Sequence, residues 1–117
     1  MSNVLRIVAN IKSDSLKETD AFYRDIFGLS LLMDQGWIQT WGADAKAPVQ
    51  LSIATEGGSG TEVPDISVEV DDLHDTLTRA KQKDVAIEYG PVVEPWGVER
   101  FYIRDPFGKL INVMQHK

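Results

Sequence analysis

The three tryptophans are the residues of this chain best suited to bind a flat molecule. Trp37 and Trp41 are four positions apart, so on one strand they would project from the same face. Trp96 stands between Pro95 and Gly97, which predict a loop. Indole rings stack on planar groups, and a cation over an indole adds about 0.5–2 kcal/mol. These residues predict a binding surface for a planar or heteroaromatic compound; alternatively, Trp37 and Trp41 fill the core between a sheet and a helix.

Carboxylates and arginines offer a second kind of chemistry. Asp65 and Glu99 could act as general acid or base if their strands turn them into an apolar cleft, where a carboxyl group can stay protonated. Arg100 and Arg104 could pair with an anionic group of a ligand. Solvent exposure is the alternative for all four residues.

Histidine and cysteine are scarce, which restricts metal and nucleophile chemistry. The chain has two His and no Cys, which excludes a disulfide, a thiolate zinc site, an iron–sulfur cluster and a Cys nucleophile. We expect His74 to be an exposed helix residue and His116 to belong to a frayed tail. The sequence has no G-x-S-x-G, H-E-x-x-H or phosphate-loop motif.

Charge and length limit the partners. The 117 residues carry 18 Asp and Glu against 12 Lys and Arg, a net charge of −6. Such an acidic balance without a basic cluster argues against nucleic acid and mildly favours cationic ligands. With no signal-like N-terminus and no membrane-length apolar run, we expect one cytoplasmic domain without membrane contact.

The elements that must position these residues form a repeat. Two predicted helices begin near Leu16 and Leu73, and each follows one strand and precedes three. The chain therefore divides into two tandem βαβββ modules, residues 1–56 and 63–117, around a Gly-rich segment, 57–62, with the composition of a flexible linker. Strands are expected near residues 4–11, 29–33, 37–41, 49–54, 66–70, 85–89, 100–103 and 110–114.

Two motifs in this pattern resemble a known family. The stretch AFYRDIFGL over residues 21–29, and PWG at 95–97 followed by RDPFGK at 104–109, are similar to motifs of the vicinal oxygen chelate superfamily, which includes glyoxalase I, bleomycin-resistance proteins and extradiol dioxygenases. The resemblance implies an α+β fold in which the two βαβββ modules form a curved mixed sheet with a central cleft. It also implies a homodimer.

The resemblance further implies where a metal would be held. Enzymes of the superfamily bind a divalent cation through four strand positions, and the corresponding residues here offer one carboxylate and no imidazole. We therefore expect no metal cofactor, with a hard cation such as Mg²⁺ on Asp65 and Gln50 as the alternative. The four corresponding residues are Val8, Gln50, Asp65 and Asn112.

The function expected from these observations is capture of a planar or aromatic compound, cationic ones included, in a metal-free cleft. Bleomycin-resistance proteins provide the analogy, so an antibiotic is one candidate. The alternatives are a lyase, isomerase or dioxygenase using a divalent metal or carboxylates, and an interaction protein whose cleft has lost its role. The residues expected to contact the ligand are Trp37, Trp41, Gln50, Asp65, Trp96, Glu99 and Asn112.

Overall fold

A computed structural model describes residues 1–44 and 49–117, which form two compact units. The C-terminal unit comprises Met1–Ile7 and Pro64–Lys117, and the N-terminal unit comprises Val8–Val63. The predicted turn before the fourth strand includes residues 45–48, which lie outside the described residues. The elements are β1 Val4–Lys12, a π-helical segment Asp20–Arg24, β2 Ser30–Asp34, β3 Ile38–Ala43, β4 Val49–Ala54, β5 Ile66–Val70, α1 Leu73–Gln82, β6 Tyr89–Glu94, β7 Val98–Arg104 and β8 Leu110–His116.

These eight strands, mixed in direction and accompanied by few helical residues, confirm the predicted α+β fold class. The first seven residues group with the C-terminal unit, although the sequence repeat assigns them to the first module. Among the described residues, no helix is long and apolar enough to cross a membrane.

The C-terminal unit packs helix α1 against one face of its strands. The strand order is β1-β5-β8-β7-β6; β5 and β8 are parallel, and the β8–β7 and β7–β6 pairs are antiparallel. Asp72 caps α1 by accepting a 3.1 Å hydrogen bond from the Asp75 backbone N–H, as an N-cap carboxylate does. The helix then buries Leu73 and Leu77 against the strands. The core cluster is Val70, Leu73, Leu77, Phe101 and Val113.

Strand alternation gives this unit a second face, which we call the polar face. Because neighbours along a strand point to opposite sides, Phe101 and Val113 face α1 while the residues beside them face away. Residues in register on adjacent strands share a side. Two rows therefore cross the polar face, Ser67–Asn112–Tyr102–Tyr89 and Glu69–Met114–Arg100–Val92.

The N-terminal unit arranges its strands in the order β2-β3-β4-β1. The β1–β4 pair is parallel, and the β3–β4 and β2–β3 pairs are antiparallel. Val8, Trp41 and Ile53 are buried here. The parallel β1–β4 pair corresponds to the parallel β5–β8 pair of the C-terminal unit, which agrees with the repeat inferred from the sequence.

The first predicted helix is much shorter than expected. Its apolar periodicity begins at Leu16 and continues to Ile26, but regular helical structure covers only Asp20–Arg24. Phe22, Ile26 and Phe27 are 48%, 61% and 62% exposed. Helices in proteins are stabilised mainly by packing of their apolar face, and this face is only partly packed within the unit.

The sixth strand begins later than predicted. Val85 still donates its N–H to the Ala80 carbonyl, so the turn after α1 extends beyond the helix. The strand instead includes Pro91, at an irregularity in its pairing with β7 between Tyr89 and Val92. Proline is tolerated at such a position of an edge strand. The strand is predicted before Pro91 because the sequence alone does not reveal that this proline lies in an edge strand.

The Gly-rich segment is a closed turn and not an open linker. The N–H of Gly57 donates to the Thr61 carbonyl at 2.8 Å, and Thr61 donates to the Gly58 carbonyl through both its N–H and its hydroxyl. Gly57 and Gly58 are buried. Composition alone predicts a flexible linker here and does not reveal these internal hydrogen bonds.

Candidate functional site

An arginine enclosed by aromatic rings dominates the polar face. The guanidinium carbon of Arg100 lies 5.0 Å from the ring centres of Trp96 and Tyr102 and 5.3 Å from that of Tyr89. Tyr89 and Tyr102 also contact each other, with ring centres 5.3 Å apart. Contacts of this kind are favourable because the ring face carries partial negative charge. We call Tyr89, Trp96, Tyr102, Arg100 and Glu94 the arginine box.

Glu94 neutralises the cation inside this box. Its Oε2 accepts 2.7 Å hydrogen bonds from Nε and Nη2 of Arg100 and a 2.9 Å bond from the Tyr89 hydroxyl. Arg100 Nη1 donates to the Tyr102 hydroxyl at 2.9 Å. The side chains of Arg100 and Glu94 are only 3% and 4% exposed. Charges this deeply buried require such pairing, because desolvation of each ion is costly.

Trp96 reaches the box from the turn that joins β6 to β7. The Gly97 N–H donates to the Glu94 carbonyl at 3.2 Å, which closes a four-residue turn. Gly97 has a φ of +89°, a conformation that glycine adopts without strain. The loop predicted for Trp96 is therefore a tight turn, with the half-buried indole lying over Arg100.

Asn112 carries a buried acceptor that lacks a partner. Its Nδ2 donates to Ser67 Oγ at 3.1 Å, whereas its Oδ1 has no hydrogen-bond partner among residues 1–44 and 49–117. The residue is 6% exposed and lies in register between Ser67 and Tyr102. An unsatisfied buried polar atom costs about 1–3 kcal/mol. A ligand N–H or O–H that reached this oxygen would recover that cost.

Glu69 links the polar face to both ends of the chain. Its carboxylate contacts Arg6 Nε and, at 2.9 Å, His116 Nδ1. Burial raises the pKa of Glu69, but the hydrogen bonds from Arg6 and His116 outweigh burial and hold the pKa below the ordinary value of 4.5. The expectation of a frayed His116 was wrong, because β8 extends to this residue. Only the folded strand pairing reveals the contact.

Trp41 lies in the interior of the N-terminal unit. It is 1% exposed, and the Arg24 guanidinium from the π-helical segment lies 5.3 Å from its ring centre. This placement agrees with the alternative that the ring fills the space between sheet and helix. Trp37 is half-buried and precedes β3 by one residue. Its carbonyl accepts a 2.9 Å hydrogen bond from the Thr55 N–H.

Asp65 and Glu99 occupy different parts of the C-terminal unit, and Gln50 belongs to the N-terminal unit. Asp65 is exposed just before β5, and its Oδ2 accepts a 2.8 Å hydrogen bond from the Leu110 N–H. Glu99 is two positions before Phe101 on β7, so its side chain lies on the same, helix-packed face. Gln50 is a half-buried β4 residue of the N-terminal unit. Of the seven predicted contacts, Asn112 lies on the polar face and Trp96 contacts Arg100 of that face.

Glu99 is committed to ion pairs on its own face. Lys117 Nζ lies 2.8 Å and His74 Nε2 3.4 Å from Glu99 Oε1. The hydrogen bond from Lys117 is the main reason that the pKa of Glu99 lies below 4.5, with the charges of Lys117 and His74 adding to it. A carboxylate held ionised in this way is a poor proton donor at neutral pH.

Comparison with known proteins identifies the family. Residues 7–113 match the model of the Glyoxalase/Bleomycin resistance protein/Dioxygenase superfamily. The chain belongs to this superfamily. No curated protein matches the sequence. A superfamily member from Vibrio splendidus 12B01 is similar in structure, with a TM-score of 0.68, 15% identity and coverage of 97% of this chain and 99% of that one.

Two further solved structures share the fold. One is described as NAD-dependent benzaldehyde dehydrogenase from Legionella pneumophila, with a TM-score of 0.75, 13% identity and coverage of 96% of this chain and 100% of that one. The other is methylmalonyl-CoA epimerase from Mycobacterium tuberculosis, with a TM-score of 0.63, 16% identity and coverage of 97% and 87%. At these identities the likeness shows the fold of the superfamily and no shared activity.

The residues at the superfamily's metal positions do not fit a transition metal. Val8 has no donor atom, Gln50 and Asn112 offer neutral amides, and the Asp65 carboxylate already accepts a backbone N–H. Catalytic metal sites normally combine at least three imidazole or carboxylate ligands. Within residues 1–44 and 49–117, no three His, Cys, Asp or Glu side chains are grouped closely enough to hold a metal ion.

Proposed function

We propose that this chain is a small-molecule-binding protein that captures a planar or aromatic compound on its polar face without a metal. The observation that carries the proposal is the buried, unpartnered Oδ1 of Asn112. A hydrogen-bond donor on a bound ligand would offset the cost of burying this acceptor. The half-buried indole of Trp96 offers the stacking surface that a flat ligand needs.

The proposal also includes the more specific expectations from the sequence about the ligand, the oligomeric state and the location. A cationic charge on the ligand suits the net charge of −6, and an antibiotic is one compound of this kind. A homodimer and a cytoplasmic location belong to the proposal too. Trp37, Gln50 and Asp65 stay predicted ligand contacts. Trp41 is buried inside the N-terminal unit and Glu99 lies on the helix-packed face, so neither takes part in capture on the polar face.

The test uses probes that differ in one hydrogen-bond donor. Acridone carries an N–H, and 10-methylacridone is its matched control without that donor; 9-aminoacridine adds a cationic member. Binding is followed by energy transfer from tryptophan to the probe. We expect acridone to bind about tenfold more tightly than 10-methylacridone, as one hydrogen bond at a buried site allows.

Replacement of Asn112 by leucine should remove this preference. Asn112→Leu deletes the unpartnered acceptor while roughly keeping its volume, so we expect unchanged or higher stability in urea and equal affinity for both acridones. Asn112→Asp, which keeps an acceptor, should still prefer acridone. If wild type bound neither acridone nor 9-aminoacridine, capture of planar compounds would be contradicted.

An enzyme of the same superfamily is the second candidate function, and the Glu69–His116 contact favours it. A carboxylate that orients an imidazole is a common arrangement for general base catalysis. The measurement is exchange of α-protons of small oxo acids and thioesters with D₂O, followed by NMR. Exchange that is lost in His116→Gln and in Glu69→Gln would support a lyase or isomerase over a binding protein.

A metal requirement is tested separately. Elemental analysis of the purified protein, with thermal unfolding under added Ni²⁺, Mn²⁺, Fe²⁺, Zn²⁺ or Mg²⁺, detects any ion that binds the folded state. We expect no stoichiometric metal and no metal-dependent rise in Tm. Stabilisation that disappears in Asp65→Ala would contradict metal-free binding.

A further inference from the structure

Arg100 is the group that contacts every other member of the arginine box. Its guanidinium faces three aromatic rings at 5.0–5.3 Å and makes hydrogen bonds to Glu94 and Tyr102. Its side chain is 3% exposed, so it is not available to pair with a ligand anion, as the sequence allowed. Its role must be exerted through its neighbours.

Trp96 is the ring of the box that strand pairing does not hold. Tyr89 and Tyr102 belong to regular strands, but Trp96 stands in the turn between β6 and β7. The guanidinium covers one face of the indole at 5.0 Å, so a stacking ligand would have to approach the other face. An indole that is already held on one face loses little conformational freedom when a ligand stacks on its other face.

We infer that Arg100 is a positioning residue that holds the Trp96 indole in its binding orientation before a ligand arrives. This inference rests on the proposed function, because it takes Trp96 as a ligand contact. Glu94 in turn fixes the Arg100 guanidinium, because its carboxylate contacts Nε and Nη2 at 2.7 Å. The planar fork of arginine can bind Glu94 and stack under indole together, which a lysine ammonium cannot do as well.

The experiment reads the indole directly. Biosynthetic 5-fluorotryptophan gives one ¹⁹F resonance for each of the three Trp residues, and Trp96→Phe identifies the resonance of Trp96. We expect Arg100→Gln to broaden or split this resonance while those of Trp37 and Trp41 keep their positions. Arg104→Gln is the matched control: Arg104 is on the same face of β7, is 40% exposed and pairs with Glu88, and its loss should leave all three resonances unchanged.

Rescue separates positioning from general stability. Arg100→Ala leaves a space beside Glu94 and the three rings, and added propylguanidinium should return the Trp96 resonance to its wild-type position and width. If Arg100→Gln does not fold, Arg100→Lys and the rescued Arg100→Ala carry the test. A Trp96 resonance that is unchanged in Arg100→Gln, or that moves only when all three resonances move together, would overturn the inference.

The affinity for acridone provides an independent test of the positioning role of Arg100. Acridone affinity should fall roughly two- to tenfold in Arg100→Gln, the cost of ordering one large side chain on binding, and recover in rescued Arg100→Ala. If acridone binds wild type but its affinity changes less than about twofold in Arg100→Gln, the positioning role fails and the proposed function stands. If no probe binds but the Trp96 resonance still depends on Arg100, the proposed function fails and the positioning of Trp96 by Arg100 stands.

Discussion

At the scale of single residues, the polar face combines ionic groups that are fully paired with one amide oxygen that is not. Glu94 and Arg100 are buried together, and each makes hydrogen bonds that offset its desolvation. Asn112 Oδ1 has no such partner. The contrast assigns different roles: the ion pair holds the rings in place, and the amide oxygen is the group from which a ligand would gain a hydrogen bond.

Glu69 should make stability depend on acid pH. Its pKa is lowered in the folded state, so the stabilisation is fully present above the ordinary value of 4.5 and is lost as pH falls through the lowered folded pKa. In Glu69→Gln, urea unfolding between about pH 5 and 3 should therefore lose part of the pH dependence seen in wild type. An unchanged slope in Glu69→Gln would contradict the contacts with Arg6 and His116.

At the scale of elements, the β6–β7 hairpin carries all five residues of the arginine box. Tyr89 and Glu94 come from β6, Arg100 and Tyr102 from β7, and Trp96 from the turn between them. The pairing shifts register between Tyr89 and Val92, and the chain approaches β7 closely there. A Cβ added to Gly90 would lie 2.5 Å from the Arg100 carbonyl oxygen.

Gly90→Ala should therefore destabilise the protein more than a glycine change elsewhere in the hairpin. Gly90 has a φ of +78° and Gly97 a φ of +89°, but a Cβ on Gly97 would meet nothing within 4 Å. We expect Gly97→Ala to cost about 1–2 kcal/mol of unfolding free energy from backbone strain alone, and Gly90→Ala to cost more. Urea denaturation measures both, and equal losses would contradict the close approach at Gly90.

At the scale of the whole molecule, the described residues expose several large apolar side chains. In the N-terminal unit, Ile26, Phe27 and Leu32 are 61%, 62% and 53% exposed. Clusters of exposed apolar residues commonly mark association surfaces. The exposed π-helical region and the edge strand β2 therefore support the homodimer expected from the family.

The homodimer is tested by light scattering after gel filtration. We expect a mass twice the 13.1 kDa of one chain and a shift toward monomer in Leu32→Lys, because a charge would be buried at an apolar contact. Phe107→Ser, at an 84% exposed residue of the C-terminal unit, should leave the mass unchanged. A monomer at every concentration would contradict the proposed dimer.

Much of the fold was predictable because it depends on local patterns. Apolar alternation located β4 and β5 with the observed bounds, and Asp72 with the Leu73–Leu77 spacing located α1. The tandem βαβββ pattern and the motifs around Phe22, Trp96 and Asp105 indicated the superfamily, which the family comparison confirms. The first helix and β6 were misplaced because their limits depend on packing and on an edge-strand proline.

The sequence by itself determined the acidic charge and, through motifs that resemble those of the superfamily, the family; the residues at the metal positions implied by that resemblance include no imidazole. These features depend only on residue type and on the spacing of motifs. Only the tertiary structure brought Glu94 to Arg100, His116 to Glu69 and Asn112 between Ser67 and Tyr102. These contacts depend on strand register and on which side of a strand faces the helix. A shift of one residue would send every side chain of a strand to the opposite face.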